Sequence, residues 1–236
     1  MRSHLVLLPG LLCDRMVWQS QIDALGLPCH VVDYGQRDSL HAMAEHALAT
    51  APAGPLAVAG HSMGGRVAFE MWRQAPERIE RLALLDTSYH PLAEGEAGEA
   101  ERAGRLALLA TARRDGMRAM AREWAVGMVH PSRHGTPIFE AVLDMLARST
   151  PDIFAAQINA LLKRPDCSDL LPTIRCPTLL LCGREDAWSP PSRHEHMHHA
   201  IAGSRLVIVE HCGHMSTMEQ PEAVSRALAD WHGWAT

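Results

Sequence analysis

The chain has 236 residues, of which 47% are hydrophobic and 21% are charged. These proportions are typical of one globular domain, with room for an insertion. The 22 Lys and Arg residues against 27 Asp and Glu residues give a net charge of −5, and no basic block indicates nucleic-acid binding. No apolar run approaches the ~18 residues that a membrane-spanning helix needs. We therefore expect neither a nucleic-acid partner nor a membrane partner.

The six cysteines, at positions 13, 29, 167, 176, 182 and 212, form no C-x-x-C pair. They indicate free thiols and a cytoplasmic location. Export is the alternative, because Arg2 precedes residues 5–13, which resemble a short signal-peptide core ending in cysteine. Pro9 and Gly10 interrupt that stretch, and Leu12 is not a small cleavage-site residue. A buried strand is therefore the preferred interpretation.

Six short apolar runs predict the strands of a sheet, at residues 5–8, 30–33, 56–60, 82–86, 178–182 and 206–210. Each run is continuously apolar rather than alternating, which favours strands buried on both faces. Helical patterns follow these runs at residues 15–25, 40–50, 63–74, 192–200 and 221–231. Strands that alternate with helices predict a parallel sheet with right-handed crossovers.

The rhythm changes between residues 89 and 172, where no strand-like run occurs. Residues 94–101, rich in Glu, Gly and Ala, are expected to form a mobile connection. Helical patterns then follow at residues 103–114, 117–128, 137–148 and 153–162. We predict that residues 1–88 and 173–236 form the core domain and that residues 89–172 form a helical insertion.

Residues 60–65, Gly-His-Ser-Met-Gly-Gly, fit the pattern G-x-S-x-G between a buried strand and a helix. A sharp turn there would lift the hydroxyl of Ser62 clear of the sheet. Gly60 and Gly64 are small because side chains at these positions would clash across the turn. The amide of Met63, at the helix N-terminus, would point to where an oxyanion forms. This context favours Ser62 as a nucleophile over an inert serine in a glycine-rich turn.

A serine nucleophile needs a base that is held in the right tautomer. His214 follows the last strand in a loop and is the predicted base, with His211 as its alternative. Asp186 follows the strand at 178–182, so its carboxylate is expected at the C-terminal edge of the sheet. The alternative acid is Asp86. It ends the strand at 82–86, beside the strand at 56–60 that leads into the turn at Ser62, which we call the elbow.

These motifs resemble the α/β-hydrolase superfamily, in the branch of small serine esterases with a helical cap. The resemblance covers essentially the whole chain, with specific matches at residues 60–65, 182–186 and 212–215 and a looser one at 7–12. It implies an α/β-hydrolase fold of about six parallel strands flanked by helices, with a cap insertion. The family order of nucleophile, acid and base is met by Ser62, Asp186 and His214. The Gly-His pair usual in the family favours His214 over His211.

The resemblance also implies a second oxyanion amide, from the loop after the first strand, where relatives usually carry His-Gly. Here Pro9 and Gly10 stand instead, and proline has no N–H, so position assigns the Leu11 amide as the partner of Met63. Apolar candidates for the substrate pocket are Trp18, Trp124, Trp188, Met63, Met128 and Met215. For each of them a place in the core is the alternative, because Trp and Met are also ordinary core residues. The insertion also carries Arg113, Arg114, Arg118, Arg122 and Arg133, which would attract an acidic substrate or form a solvated helix face.

Residues 194–198, His-Glu-His-Met-His, satisfy the zinc-protease pattern H-E-x-x-H. A metallohydrolase with His194 and His198 as ligands and Glu195 as base is therefore an alternative. No third ligand is evident, and the fold would carry this helix on its outside. A histidine-rich surface, able at most to bind metal adventitiously, is the preferred interpretation.

The sequence predicts a serine hydrolase that cleaves the carboxylic ester bond of a small acyl substrate through an acyl-enzyme, with no cofactor or metal. Thioester, lactone and C–C bond hydrolysis use the same fold and the same three residue types, so they stay open. A protein that binds a ligand without turnover is the alternative of another class.

Overall fold

The computed structural model describes residues 3–234 and is built around a six-stranded parallel sheet. Along the chain the strands are β1 (His4–Leu8), β2 (Cys29–Val31), β3 (Leu56–His61), β4 (Ile79–Leu85), β5 (Thr178–Gly183) and β6 (Arg205–Val209). Their order across the sheet is β2-β1-β3-β4-β5-β6, and every neighbouring pair is parallel. The predicted fold class and strand number are confirmed.

Ten α-helices connect or flank these strands in the described part of the chain. They are α1 (Gln19–Leu25), α2 (Leu40–Thr50), α3 (Met63–Gln74), α4 (Gly95–Asp115), α5 (Met117–Ala125), α6 (Pro137–Ala147), α7 (Pro151–Leu162), α8 (Pro191–Ala200), α9 (Ser216–Glu219) and α10 (Pro221–His232). Helices α4–α7 all lie between β4 and β5, which confirms the predicted helical insertion. Among residues 3–234, no helix combines the length and apolar character needed to cross a bilayer.

The burial of the strands follows their place in the sheet. Every residue of β3 and of β5 is buried, whereas the edge strands β2 and β6 are only partly buried. This is why the central strands read as continuous apolar runs. Strand β1 pairs with both β2 and β3, so residues 4–8 lie inside the sheet. Arg2, on which the export alternative also rests, lies outside the described residues.

The structure corrects the expectation of a mobile connection at residues 94–101. Helix α4 begins at Gly95, so most of the stretch that was expected to be mobile is helical. Its alanine and glutamate residues are good helix formers, and Glu101 forms ion pairs with Arg105 and Arg164. At the other end, α5 stops at Ala125, and Met128 lies in the following loop. The predicted helix at 15–25 is a 3₁₀ turn followed by α1.

Candidate active site

The turn between β3 and α3 holds Ser62 in a strained conformation. Its φ of 54° lies in the left-handed region, which residues other than glycine rarely adopt. A Cβ on Gly60 would overlap the backbone of Gly64, and a Cβ on Gly64 would overlap the carbonyl of Leu8. The amide of Ser62 donates to the carbonyl of Leu85 at 2.9 Å. The two glycines thus allow a turn tight enough to present the serine at the sheet edge.

A chain of hydrogen bonds runs from this serine to a buried carboxylate. Ser62 Oγ lies 2.8 Å from His214 Nε2, and His214 Nδ1 lies 2.8 Å from Asp186 Oδ2. The other oxygen of Asp186 accepts hydrogen bonds from the amides of Trp188 and Ser189, both at 2.9 Å. Both carboxylate oxygens are therefore engaged, and the ring of His214 is fixed with Nδ1 facing the acid.

The electrostatics of this pair favour ionised Asp186. Burial alone would raise the pKa of Asp186, but the His214 ring, together with the two backbone donors, holds the pKa below its ordinary value. Burial likewise would lower the pKa of His214, and the charge and hydrogen bond of Asp186 more than offset this, so the pKa of His214 is raised. A base with a raised pKa is well suited to accept the proton of a serine hydroxyl.

Asp86, the alternative acid, lies in the same region but does not contact the imidazole of His214. One oxygen accepts a hydrogen bond from the amide of Gly183 at 3.0 Å, and the other accepts one from the hydroxyl of Ser216. Burial, and then the nearby charge of Asp186, raise the pKa of Asp86 well above its ordinary value. Asp86 is therefore a hydrogen-bonded group that links the ends of β4 and β5 to Ser216, just after the His214 loop.

His61, the second residue of the elbow motif, supports the His214 loop from beneath. Its Nε2 donates to the backbone carbonyl of His214 at 2.8 Å. Burial, followed by the neighbouring His214, lowers the pKa of His61 to about 3, so this ring is neutral at physiological pH. On its other side, His214 donates its backbone amide to the carbonyl of Met128 in the insertion at 2.7 Å. The histidine loop is thus held between the elbow and the insertion.

Glu219, at the end of α9, is a buried carboxylate that sequence reasoning missed. Its Oε1 accepts from the amides of Gly213 and Met215 at 3.1 and 3.0 Å, on either side of His214. Its Oε2 accepts from the amide of His130 at 2.7 Å. One side chain therefore satisfies three backbone donors that no sheet or helix would satisfy. No local sequence pattern indicates this role, because the three amides come together only in the folded chain.

A cavity of about 800 Å³ opens over Ser62 and His214. Its apolar wall includes Trp124, Trp188 and Met128, and the two indole rings stack with centroids 5.5 Å apart. The ring of Trp188 also lies 5.0 Å from that of His214. These three residues were predicted to line a substrate pocket.

The other pocket candidates divide between the cavity and the core. Leu11 and Met63 line the cavity, and their amides have no hydrogen-bond acceptor among residues 3–234. Trp18 and Met215, in contrast, are fully buried and do not reach the cavity, which corrects the prediction for both. Trp18 packs edge-on against His61, with ring centroids 6.4 Å apart. Tertiary packing behind the elbow, rather than distance in sequence, decides their place.

The charged residues that line the cavity are not those that the sequence suggested. Arg66, Arg105, Arg164 and Arg193 reach it, together with Glu94 and Glu101. The predicted arginines, at positions 113, 114, 118, 122 and 133, do not. Arg118, for example, pairs with Glu140 and Asp144 on the neighbouring helix. The one signal available was the position of Arg66, four residues after Ser62 on a helix that starts at the nucleophile.

The histidine-rich helix α8 does not assemble the suggested metal pair. His194 is buried, and its Nε2 accepts a hydrogen bond from the amide of Thr87 at 3.2 Å, so the expected surface position of this residue is wrong. His198 interacts through Nδ1 with the hydroxyl of Ser204. A different set, His130, Glu185 and His211, has donor atoms within 4.8 Å of one another, close enough to hold a metal ion.

With this geometry in view, comparison with known proteins gives a consistent result. The model of the "Alpha/beta hydrolase family" matches residues 5–227. A pimeloyl-(acyl-carrier protein) methyl ester esterase of Neisseria meningitidis is 29% identical over 214 residues, covering 89% of this chain and 67% of the relative. Its namesake from Nitrosomonas europaea is 28% identical, covering 92% and 91%. The structure of a thermophilic esterase from Thermogutta terrifontis superposes with a TM-score of 0.84 at 30% identity, covering 97% and 89%.

Fold, elbow and comparisons agree on the class of the molecule. The chain belongs to the alpha/beta hydrolase family. It is an esterase-like hydrolase, and the named relatives match it along most of its length.

Proposed function

We propose that the protein hydrolyses the carboxylic ester bond of a small acyl substrate through an acyl-enzyme intermediate. The observation that carries the proposal is the unbroken hydrogen-bond chain from Ser62 through His214 to Asp186, open to the cavity at the serine. The relatives named as methyl ester esterases favour an ester over a thioester, a lactone or a C–C bond.

In the first half-reaction, Ser62 Oγ attacks the ester carbonyl while His214 Nε2 accepts the hydroxyl proton. The new C–O bond creates a tetrahedral oxyanion, which we expect the amides of Met63 and Leu11 to stabilise. When the intermediate collapses, the ester C–O bond breaks and the alcohol leaves with the proton from His214. Asp186 keeps the imidazole oriented and stabilises its positive charge.

In the second half-reaction, water attacks the acyl carbon and His214 takes its proton. Collapse of this second intermediate breaks the bond to Ser62, returns the proton to its oxygen and releases the carboxylic acid. Each proton that His214 accepts is given back, so the cycle needs no cofactor or metal.

We further infer that residues 89–172 act as a cap on the hydrolase core of residues 1–88 and 173–236. Trp124 and Met128, on and after α5, and Leu161 on α7 contribute to the cavity wall. Substrate size and shape are therefore set in part by the insertion.

The test is labelling by a fluorophosphonate, with intact mass as the readout, on the wild type and on Ser62→Ala. We expect one adduct on the wild type and none on the variant, followed by ester hydrolysis in a substrate panel that includes thioesters and lactones. A folded wild-type protein that takes no adduct and cleaves no acyl substrate would refute the proposal and would favour ligand binding without turnover.

A further inference from the structure

The cavity over Ser62 carries more positive than negative charge. Four guanidinium groups line it against two carboxylates; they are Arg66, Arg105, Arg164 and Arg193, and Glu94 and Glu101. These residues come from α3, α4 and α8, from the residue before α4 and from the segment that follows α7, so the excess of cations arises only on folding. A cavity of this kind is expected to attract an anionic ligand.

Glu101 is already engaged by two of these arginines. Its carboxylate accepts two hydrogen bonds from Arg164, at 2.7 and 2.8 Å, and its Oε1 also lies 2.9 Å from Arg105 Nη2. Burial would raise the pKa of Glu101, but these cations lower it to about 2. Glu101 therefore stays ionised, and its hydrogen bonds go to Arg105 and Arg164 rather than to Arg66 or Arg193.

Arg66 and Arg193 have no carboxylate partner among residues 3–234. Arg66 donates through Nη1 to the carbonyl of His90 at 2.8 Å, and Arg193 donates through Nη1 to the carbonyl of Trp188 at 3.3 Å. Each group keeps further N–H donors for a ligand. Burial, and then the nearby Arg164, lower the pKa of Arg66, and the charge of Glu101 offsets only part of this. Such a cation is costly unless a ligand compensates it.

Both arginines lie close to the reacting groups. Arg66 lies in the first turn of α3, which begins directly after Ser62, and both residues line the same cavity. Arg193 contacts the backbone of Trp188, whose ring packs against His214. A ligand held by these guanidinium groups therefore lies in the same cavity as Ser62 and His214.

We propose that Arg66 and Arg193 bind a carboxylate of the substrate, so that the preferred substrate is an ester that carries a second, ionised carboxyl group. Guanidinium groups match carboxylates in geometry and form charge-assisted hydrogen bonds with them. This proposal rests on the proposed ester hydrolysis and deepens it. It excludes a purely apolar pocket, which the stacked indoles alone would have suggested.

The kinetic test compares charged and neutral esters of equal length. Monomethyl esters of four- to seven-carbon dicarboxylic acids are paired with methyl esters of the uncharged acids, and acetate esters of hydroxy acids place the carboxylate in the alcohol half. The readout is the ratio of kcat/KM for the charged and neutral members. In the wild type we expect a ratio above one in at least one of the two series. The series that shows it tells whether the bound carboxylate belongs to the acyl half or to the alcohol half of the ester.

The variants are Arg66→Gln and Arg193→Gln, with Arg102→Gln as the matched control. Arg102 lies on the exposed face of α4 and does not line the cavity. We expect the charged-to-neutral ratio to fall roughly 10- to 100-fold in Arg66→Gln, the size expected for loss of a charge-assisted hydrogen bond, and to hold in Arg102→Gln. Arg66→Lys, which retains the charge, should recover part of the ratio. A folded wild-type protein that cleaves neutral esters without preferring charged ones would overturn the proposed carboxylate subsite. The proposed ester hydrolysis would still stand.

A binding measurement separates the subsite from the chemistry. Glutarate is titrated calorimetrically into Ser62→Ala and into the double variant Ser62→Ala/Arg66→Gln. Tighter binding to the single variant supports the subsite even if the fluorophosphonate test fails. Equal affinity for the two proteins, with circular dichroism showing both folded, overturns it.

Discussion

The roles of the two buried aspartates can be separated by one pair of isosteric substitutions. In Asp186→Asn, the amide oxygen can keep the hydrogen bonds from Trp188 and Ser189, both 2.9 Å long in the wild type. The new NH₂ group then faces His214 Nδ1 and donates to it. The imidazole proton is forced onto Nε2, the atom that must accept the proton of Ser62. The opposite orientation of the amide would leave two backbone donors unpaired, at about 1 kcal/mol or more each.

We therefore expect Asp186→Asn to lower kcat/KM about 10⁴-fold, as the wrong tautomer does in serine proteases. This corresponds to about 5 kcal/mol of lost transition-state stabilisation. The fold should survive, because the shape of the side chain and its two amide contacts are kept.

Asp86→Asn is the matched control. Burial and the charge of Asp186 raise the pKa of Asp86, and its hydrogen bonds go to Gly183 and Ser216 rather than to the His214 ring. An amide of the same size is therefore expected to disturb the base much less here than at Asp186. We expect kcat/KM to stay within about tenfold of the wild type, or ~1.4 kcal/mol. The assay is hydrolysis of a 4-nitrophenyl ester between pH 5 and 9, with circular dichroism as the check on folding. The reasoning would be refuted by folded variants in which Asp86→Asn is the more damaging change, or in which Asp186→Asn stays within tenfold.

Further predictions concern pH and stability. Because protonated His214 cannot accept a proton and its pKa is raised, kcat/KM should fall as the pH drops through a value above 6.5; a flat stopped-flow profile down to pH 5 would contradict its role as base. Glu219→Ala should leave three backbone amides without acceptors, cost about 3 kcal/mol and lower Tm by roughly 6–12 °C; calorimetry showing no change would sink this. Gly64→Ala should abolish soluble folding by clashing with the carbonyl of Leu8. Gly104→Ala, in open space on α4, should stabilise by about 0.5–1 kcal/mol and serves as its control; a folded Gly64→Ala protein would contradict the turn geometry.

The fold could be predicted in detail because its signals are local. The buried strands read as apolar runs, and the turn after β3 needs two glycines that no other residue can replace. Ser62, Asp186 and His214 each follow the carboxyl end of a strand, so a parallel sheet brings them to one edge. The structure does bring these three side chains into contact.

The pocket could not be predicted in the same way, because its lining depends on packing between distant segments. Trp18 and Trp188 were both candidates for the pocket, yet one is fully buried behind the elbow and the other lines the cavity. The arginines of the cavity come from separate segments of the chain and carry no shared motif. The role of Glu219 could not be predicted either, since it depends on three amides that only the tertiary fold brings together.

The hydrogen bond from the amide of His214 to the carbonyl of Met128 has a consequence for how this scaffold can diversify. Helices α4, α6 and α7 do not take part in this bond, so changes in their sequence or length do not act on the histidine loop through it. The short stretch from Met128 to His130 cannot, because Glu219 also binds the amide of His130. A chimaeric enzyme that receives a foreign insertion should therefore retain this stretch as its joint. Without this stretch, a transplanted insertion would supply a new pocket but would leave His214 out of position.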